Sequence, residues 1–95
     1  MSNPMHTPHY SVLRTRLVEL REAKGITQAE VAAKLGKPQS YVSKYERGER
    51  RLDIIELIAV ANALGVDPVQ LFAELMSQKP LLDKLESVFY RGDIK

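Results

Sequence analysis

The stretch that decides the fold covers residues 25–48 and reads GITQAEVAAKLGKPQSYVSKYERG. Thr27 followed three residues later by Glu30 is the pattern of a capping box, which predicts the first turn of a helix. Gly36 ends this helix, because glycine readily adopts the left-handed conformation that closes many helices. Pro38 then opens another helix, since proline is tolerated in a first turn. The stretch therefore predicts two short helices joined by a tight turn.

The second of these helices has an apolar and a polar side. Val42 and Tyr45 lie three residues apart and can pack inward together. Gly48 ends the helix just after Arg47. The side that faces away from the core therefore carries mostly polar groups, namely Gln39, Ser40, Tyr41, Ser43, Lys44 and Arg47.

Amphipathic segments flank this pair of helices on both sides. A leucine pattern predicts a helix over 11–24, Asp53 can cap a further helix over 54–64, and Asp67 begins a fifth. Strand-like alternation and internal repeats are absent from the sequence, so the predicted fold class is all-α. A short additional C-terminal helix is marked by Leu81, Leu82, Leu85, Val88 and Phe89.

The length of 95 residues favours one hydrophobic core. We expect a flexible N-terminal tail over 1–10, a single domain over 11–78, and a C-terminal helical extension over 79–95 that can serve in dimerisation. No apolar run approaches the roughly 18 residues of a membrane span, and the N-terminus does not resemble a signal peptide. We therefore expect a cytoplasmic protein.

Several function classes are disfavoured by composition. The sequence contains no cysteine, which excludes disulfides, thiol catalysis and cysteine-ligated zinc. It also shows no pairing of a nucleophile with a base and no cluster of metal ligands. The sequence therefore predicts neither an enzyme nor a cofactor or metal site.

Charge is distributed unevenly along the chain. Residues 1–51 hold ten Lys and Arg against five Glu, whereas residues 52–95 hold four against seven Asp and Glu. A basic half favours a polyanionic partner, because each neutralised phosphate releases condensed counterions. The N-terminal half is therefore the one expected to face such a partner.

The sequence resembles the phage-repressor-like helix-turn-helix family of the Cro and Xre type. The matching residues are 25–32, Leu35 with Gly36, 40–48 and 63–66, and the resemblance covers about residues 13–75. It implies a five-helix, lambda-repressor-like domain that binds double-stranded DNA and regulates transcription, most often as a repressor. In such a domain the second helix of the motif enters the major groove.

The resemblance also implies roles for individual residues. Base contacts in the family correspond here to Gln39, Ser40 and Lys44. Their chemistry fits, because Gln pairs with adenine, Lys donates to guanine and Ser serves either. Gln28 corresponds to a residue that binds a phosphate and braces the recognition helix. Many relatives have a Ser or Thr cap where this chain has Pro38.

Further contacts are expected along the recognition helix and in the turn after it. Tyr41 and Ser43 can reach a phosphate or a thymine methyl group, or can simply be solvated. Backbone contacts are expected from the turn that follows, through Arg47, Gly48, Arg50 and Arg51. Arg21 and Glu46 match a pair that forms a buried salt bridge in the family.

The two helices after the motif, together with the predicted sixth helix, carry more apolar surface than a small bundle buries, which is typical of an interface. We expect a homodimer that binds a palindromic operator. Alternatively, the sixth helix folds back over its own chain. Candidate interface residues are Ile55, Ile58, Val69, Phe72, Met76, Leu82 and Phe89.

Two other functions compete with a dedicated transcriptional regulator. The first is an antitoxin, whose C-terminal helices would bind a toxin while its helix-turn-helix represses the operon. A neighbouring toxin gene would favour it. The second is a purely structural helical bundle, which leaves the arrangement of Gln39, Ser40 and Lys44 unexplained.

Overall fold

The computed structural model describes residues 8–77, and within that range the chain forms five α-helices and no strand. The all-α fold class is therefore confirmed. The predicted sixth helix and the extension over 79–95 lie outside the described residues, as does the tail over 1–7. The helices are α1 (Pro8–Ala23), α2 (Gln28–Leu35), α3 (Gln39–Glu46), α4 (Ile54–Ala63) and α5 (Pro68–Met76).

α1 begins earlier than the sequence pattern indicated. Residues 8–10 form its first turn, so the predicted tail over 1–10 is too long at its C-terminal end. Proline suits a first turn because its missing N–H is not needed there. Tyr10 is buried, and its hydroxyl accepts a hydrogen bond from Leu52 N at 3.1 Å. A contact between residues so distant in sequence leaves no local signal, which is why periodicity missed this turn.

The predicted capping residues lie at the starts of the helices. Thr27 Oγ1 accepts from Glu30 N at 3.1 Å while Glu30 Oε1 accepts from Thr27 N at 2.8 Å, which confirms the capping box. Asp53 and Glu56 form the same reciprocal pair at α4, at 2.7 and 2.9 Å. Gly36, with a φ of +68°, ends α2 as predicted. Local chemistry therefore fixes the limits of α2 and the start of α4.

The core lies where α2, α3 and α4 meet, with α1 packed on α3 and α5 packed on α4. Val31 of α2, Val42 of α3 and Val60 of α4 are entirely excluded from solvent. Among the described residues, Tyr45 is the largest fully buried side chain. This packing joins α2 and α3 into one unit and leaves the opposite side of α3 facing solvent.

No single helix among residues 8–77 is long and apolar enough to cross a membrane. α4 and α5 reach the required length and composition only as a pair, across a bend of 113°. Their inward side chains, such as Leu57 and Leu71, belong to the core.

Candidate nucleic-acid interface

α3 presents a polar side to solvent. Gln39, Ser40 and Lys44 are exposed, whereas Val42 and Tyr45 are buried. The helical repeat accounts for this division, because residues three and four apart share a face. The structure therefore places the three residues expected to contact bases on the outer side of α3.

Glu46 at the end of α3 is buried and is bound by Arg21 of α1. Arg21 Nε donates to Glu46 Oε2 at 2.6 Å, and Nη2 donates to Oε1 at 3.1 Å. The third nitrogen, Nη1, donates to Ile26 O at 2.8 Å. Hydrogen bonding to Glu46 raises the pKa of Arg21. Such a two-point pair fixes direction as well as distance, so it holds the end of α3 against α1.

Gln28 connects the start of α2 to both ends of α3. Its Nε2 donates to Glu46 Oε1 at 2.8 Å, and its Oε1 accepts from Gln39 Nε2 at 3.2 Å. α3 starts without a side-chain cap, because Pro38 occupies that position. The amide of Gln28 therefore orients Gln39 at the uncapped start of the helix, and the four side chains of Arg21, Glu46, Gln28 and Gln39 form one continuous network.

Sequence reasoning missed Arg14, which also contacts the end of α3. Arg14 Nη1 donates to Glu46 O at 2.9 Å. The available signal was spacing, because Arg14 and Arg21 are two helical turns apart and therefore share one face of α1. α1 thus holds Glu46 through both its side chain and its backbone.

Arg47, which caps the end of α3, is bound to the carboxylate of Glu49. Arg47 Nε and Nη2 donate to the two oxygens of Glu49 at 3.0 and 2.9 Å, and Nη1 donates to Ser43 Oγ. The pKa of Glu49 is lowered by these hydrogen bonds. Gly48, with a φ of +79°, makes the turn between the pair. All three donor nitrogens of Arg47 therefore have partners within the protein.

Tyr41 lies between two cations on the same side as Lys44. Lys37 Nζ is 5.4 Å from the ring centroid and Arg50 Cζ is 4.8 Å from it, both within cation–π range. Arg50 also forms an ion pair with Glu56 at the start of α4. Burial raises the pKa of Tyr41. An open, shallow pocket beside α3 is lined by Lys37, Pro38, Ser40, Tyr41, Lys44 and Arg50, a set suited to an anion.

The apolar residues expected at an interface divide into two groups. Ile55, Val69 and Met76 are 70%, 72% and 49% exposed. Ile58 and Phe72 are half-buried. Ile54, which sequence reasoning did not include, is 54% exposed. Leu82 and Phe89 lie outside the described residues.

Comparison with known proteins identifies relatives in sequence. Residues 17–71 match the protein family described as Helix-turn-helix. The chain is 46% identical over 57 residues to an uncharacterized HTH-type transcriptional regulator, y4dJ, of Sinorhizobium fredii. That alignment covers 60% of this chain and 74% of the relative.

Solved structures agree with the sequence match. An XRE-family like protein from Pseudomonas syringae pv. tomato is 47% identical, with a TM-score of 0.75 over 80% of this chain and 93% of that chain. The restriction-modification controller protein C.AhdI of Aeromonas hydrophila is 39% identical, with a TM-score of 0.59 over 70% of this chain and 100% of that chain.

Proposed function

This chain belongs to the helix-turn-helix family, as a transcriptional regulator of the XRE type, and from that premise we propose that it is a repressor that binds a palindromic operator as a homodimer. The family consists of DNA-binding regulators and is not an enzyme class. α3 is the recognition helix in this proposal, and it enters the major groove, whose width of about 12 Å admits one α-helix.

One observation carries the proposal: the exposed side of α3 is polar while its buried side is fixed by the Arg21, Glu46 and Gln28 network. The side chains that can read bases therefore project from a helix whose orientation is set before binding. Such preorganisation lowers the entropy lost on association. A purely structural bundle leaves the arrangement of Gln39, Ser40 and Lys44 on a braced helix unexplained.

Base readout is assigned to Gln39, Ser40 and Lys44. Gln39 can bind adenine N6 and N7 together, and its amide is already oriented by Gln28 at 3.2 Å. Lys44 can donate to guanine O6 and N7. Ser40 lies between them on the exposed side and can serve as donor or acceptor.

Contacts to the DNA backbone are assigned to residues that surround Gln39, Ser40 and Lys44. Phosphate contacts supply affinity that depends on salt but carry no base information. The cations around the shallow pocket and in the turn after α3 have the charge that these contacts need. The proposed set is Gln28, Tyr41, Ser43, Arg47, Gly48, Arg50 and Arg51.

Exposed apolar side chains on α4 and α5 support the homodimer. Ile55, Val69 and Met76 form the described part of the proposed interface together with the half-buried Ile58 and Phe72, and we include residues 79–95 as a further contribution. Burying one such side chain stabilises an interface by about 1.5–3 kcal/mol. A two-fold dimer presents α3 twice, which makes half-sites spaced about 34 Å apart and a palindromic operator the expected target.

The test is selection of tight binders from random-sequence duplexes by the purified protein, repeated across a salt series. We expect a palindrome whose preference relaxes at defined positions in Lys44→Ala, because Lys44 is proposed to touch bases. The matched control is Lys24→Ala, in the turn just after α1, which should keep the preference. Weak binding without sequence preference would contradict the proposal and favour a function in binding another protein.

A further inference from the structure

Tyr10 lies far along the chain from the proposed DNA contacts but touches the part of the turn after α3 that carries Arg50 and Arg51. Its hydroxyl donates to Arg50 O at 3.4 Å and accepts from Leu52 N at 3.1 Å. A phenol hydroxyl can do both at once, because it has one proton and free lone pairs. One buried atom therefore binds the backbone on either side of Arg51.

The ring of Tyr10 makes a separate contact with the side chain of Arg51. Arg51 Cζ is 5.0 Å from the ring centroid, within the range of a cation–π interaction. A planar guanidinium stacks well on an aromatic face. Arg51 is exposed while the ring beneath it is buried. The ring thus supports a cation that faces solvent.

We propose that Tyr10 is a positioning residue for DNA binding, holding the backbone of residues 50–52 and the guanidinium of Arg51 in the conformation that meets a phosphate. This inference rests on the proposed function, which assigns Arg50 and Arg51 to the DNA backbone. Arginine is flexible, and fixing it before binding reduces the conformational entropy that association would otherwise cost. α1 therefore supports both the end of α3, through Arg21, and the turn that follows it, through Tyr10.

The first measurement is DNA affinity of Tyr10→Phe and Tyr10→Leu on the selected duplex and on a scrambled one. Tyr10→Phe removes the two hydrogen bonds and keeps the ring, whereas Tyr10→Leu also removes the stacking. We expect Tyr10→Phe to bind both duplexes about threefold to tenfold more weakly and Tyr10→Leu to lose more. The preference for the selected duplex should stay. The slope of the logarithm of affinity against the logarithm of salt concentration should become shallower by the amount that about one phosphate contact contributes.

Two comparisons distinguish a positioning role of Tyr10 from a general loss of protein stability. Leu17→Val weakens the core on α1, the helix that carries Tyr10, at a buried residue outside the proposed DNA contacts and the proposed dimer interface, and should bind as wild type below its unfolding temperature. In an Arg50→Gln, Arg51→Gln background, Tyr10→Phe should cause little further loss, because the positioned cations are gone. If Tyr10→Phe lowers DNA affinity in that background as much as it does in wild type, the proposed role of Tyr10 is overturned.

Amide exchange of Leu52 tests the geometry without DNA. We expect this amide to exchange faster in Tyr10→Phe than in wild type, while amides in the middle of α4 change little. Unchanged exchange of Leu52, or wild-type affinity of Tyr10→Phe, would overturn this inference and leave the proposed function standing. Absence of selective binding by the wild-type protein would instead overturn the proposed function itself, and with it any role for Tyr10 in DNA binding.

Discussion

Arg21 and Glu46, separated by 25 residues, form a two-point ion pair between α1 and the end of α3, with Nε and Oε2 2.6 Å apart. The side chains are 13% and 7% exposed, so neither charge is well solvated. Gln28 also donates to the same carboxylate. The pair therefore joins the stability of the fold to the orientation of the proposed recognition helix.

Replacing Glu46 with Gln should destabilise the fold strongly, because the guanidinium of Arg21 would be left partly buried without its counter-charge. Breaking a buried pair from one side costs about 3–5 kcal/mol. The free energy of unfolding in urea measures this loss. Glu19→Gln is the matched control, since Glu19 pairs with Arg16 while 59% exposed and should change stability by less than about 1 kcal/mol. Equal stability of Glu46→Gln and wild type would contradict a structural role for the pair.

Acid should weaken the fold through its two capping boxes. Hydrogen bonds from the backbone of Thr27 and Asp53 lower the pKa of Glu30 and Glu56 below the ordinary value of 4.5. A carboxyl whose pKa is lower in the folded state contributes stability above its unfolded pKa and loses it as pH falls through its folded pKa. We therefore expect the urea midpoint to fall as pH decreases below about 4.5.

The variant that checks this prediction carries both Glu30→Gln and Glu56→Gln. Glutamine can still accept the capping hydrogen bond but cannot titrate. We expect the double variant to be less stable at neutral pH and to change less between pH 6 and pH 3 than wild type does. Identical pH profiles for the two proteins would refute the assignment to these carboxylates.

The parts of the fold that depend on neighbouring residues were predictable from sequence. The Thr27 capping box, the left-handed Gly36 and the inward positions of Val42 and Tyr45 each follow from spacing within one or two turns, and the structure confirms all of them. Local geometry dictates these features, so no knowledge of the rest of the fold is needed.

The contacts that sequence patterns did not predict are of two kinds. Some join residues that are distant in sequence, and others are ion pairs in which one arginine could choose among several acidic partners. The start of α1 depends on Tyr10 meeting Leu52, and Arg14 binds a carbonyl 32 residues away. Sequence also could not show that Arg47 binds Glu49 or that Arg50 binds Glu56, because a basic turn has several acidic neighbours. Which ion pair forms depends on the backbone path of the turn, which only the folded chain defines.

Val69→Glu should weaken the proposed dimer. Val69 is 72% exposed near the start of α5, so the substitution should leave the monomer folded while placing a charge in the interface. Losing a buried valine costs about 1.5–3 kcal/mol, which corresponds to roughly tenfold to hundredfold weaker association. Gln70→Glu adds the same charge at the next exposed position and is the matched control. Sedimentation equilibrium measures both, and unchanged association of Val69→Glu would place the interface elsewhere.

Glu49→Gln should strengthen DNA binding. Glu49 occupies two donors of Arg47 in the free protein, and a phosphate that binds Arg47 must displace this carboxylate. Removing the charge frees the guanidinium and adds one cation to the interface, so we expect about threefold tighter binding at low salt, a steeper salt dependence and an unchanged sequence preference. Glu19→Gln changes net charge equally but lies on α1, so it separates local release of Arg47 from overall charge. If both variants gain affinity equally, or if Glu49→Gln binds more weakly than wild type, Glu49 does not compete with DNA for Arg47.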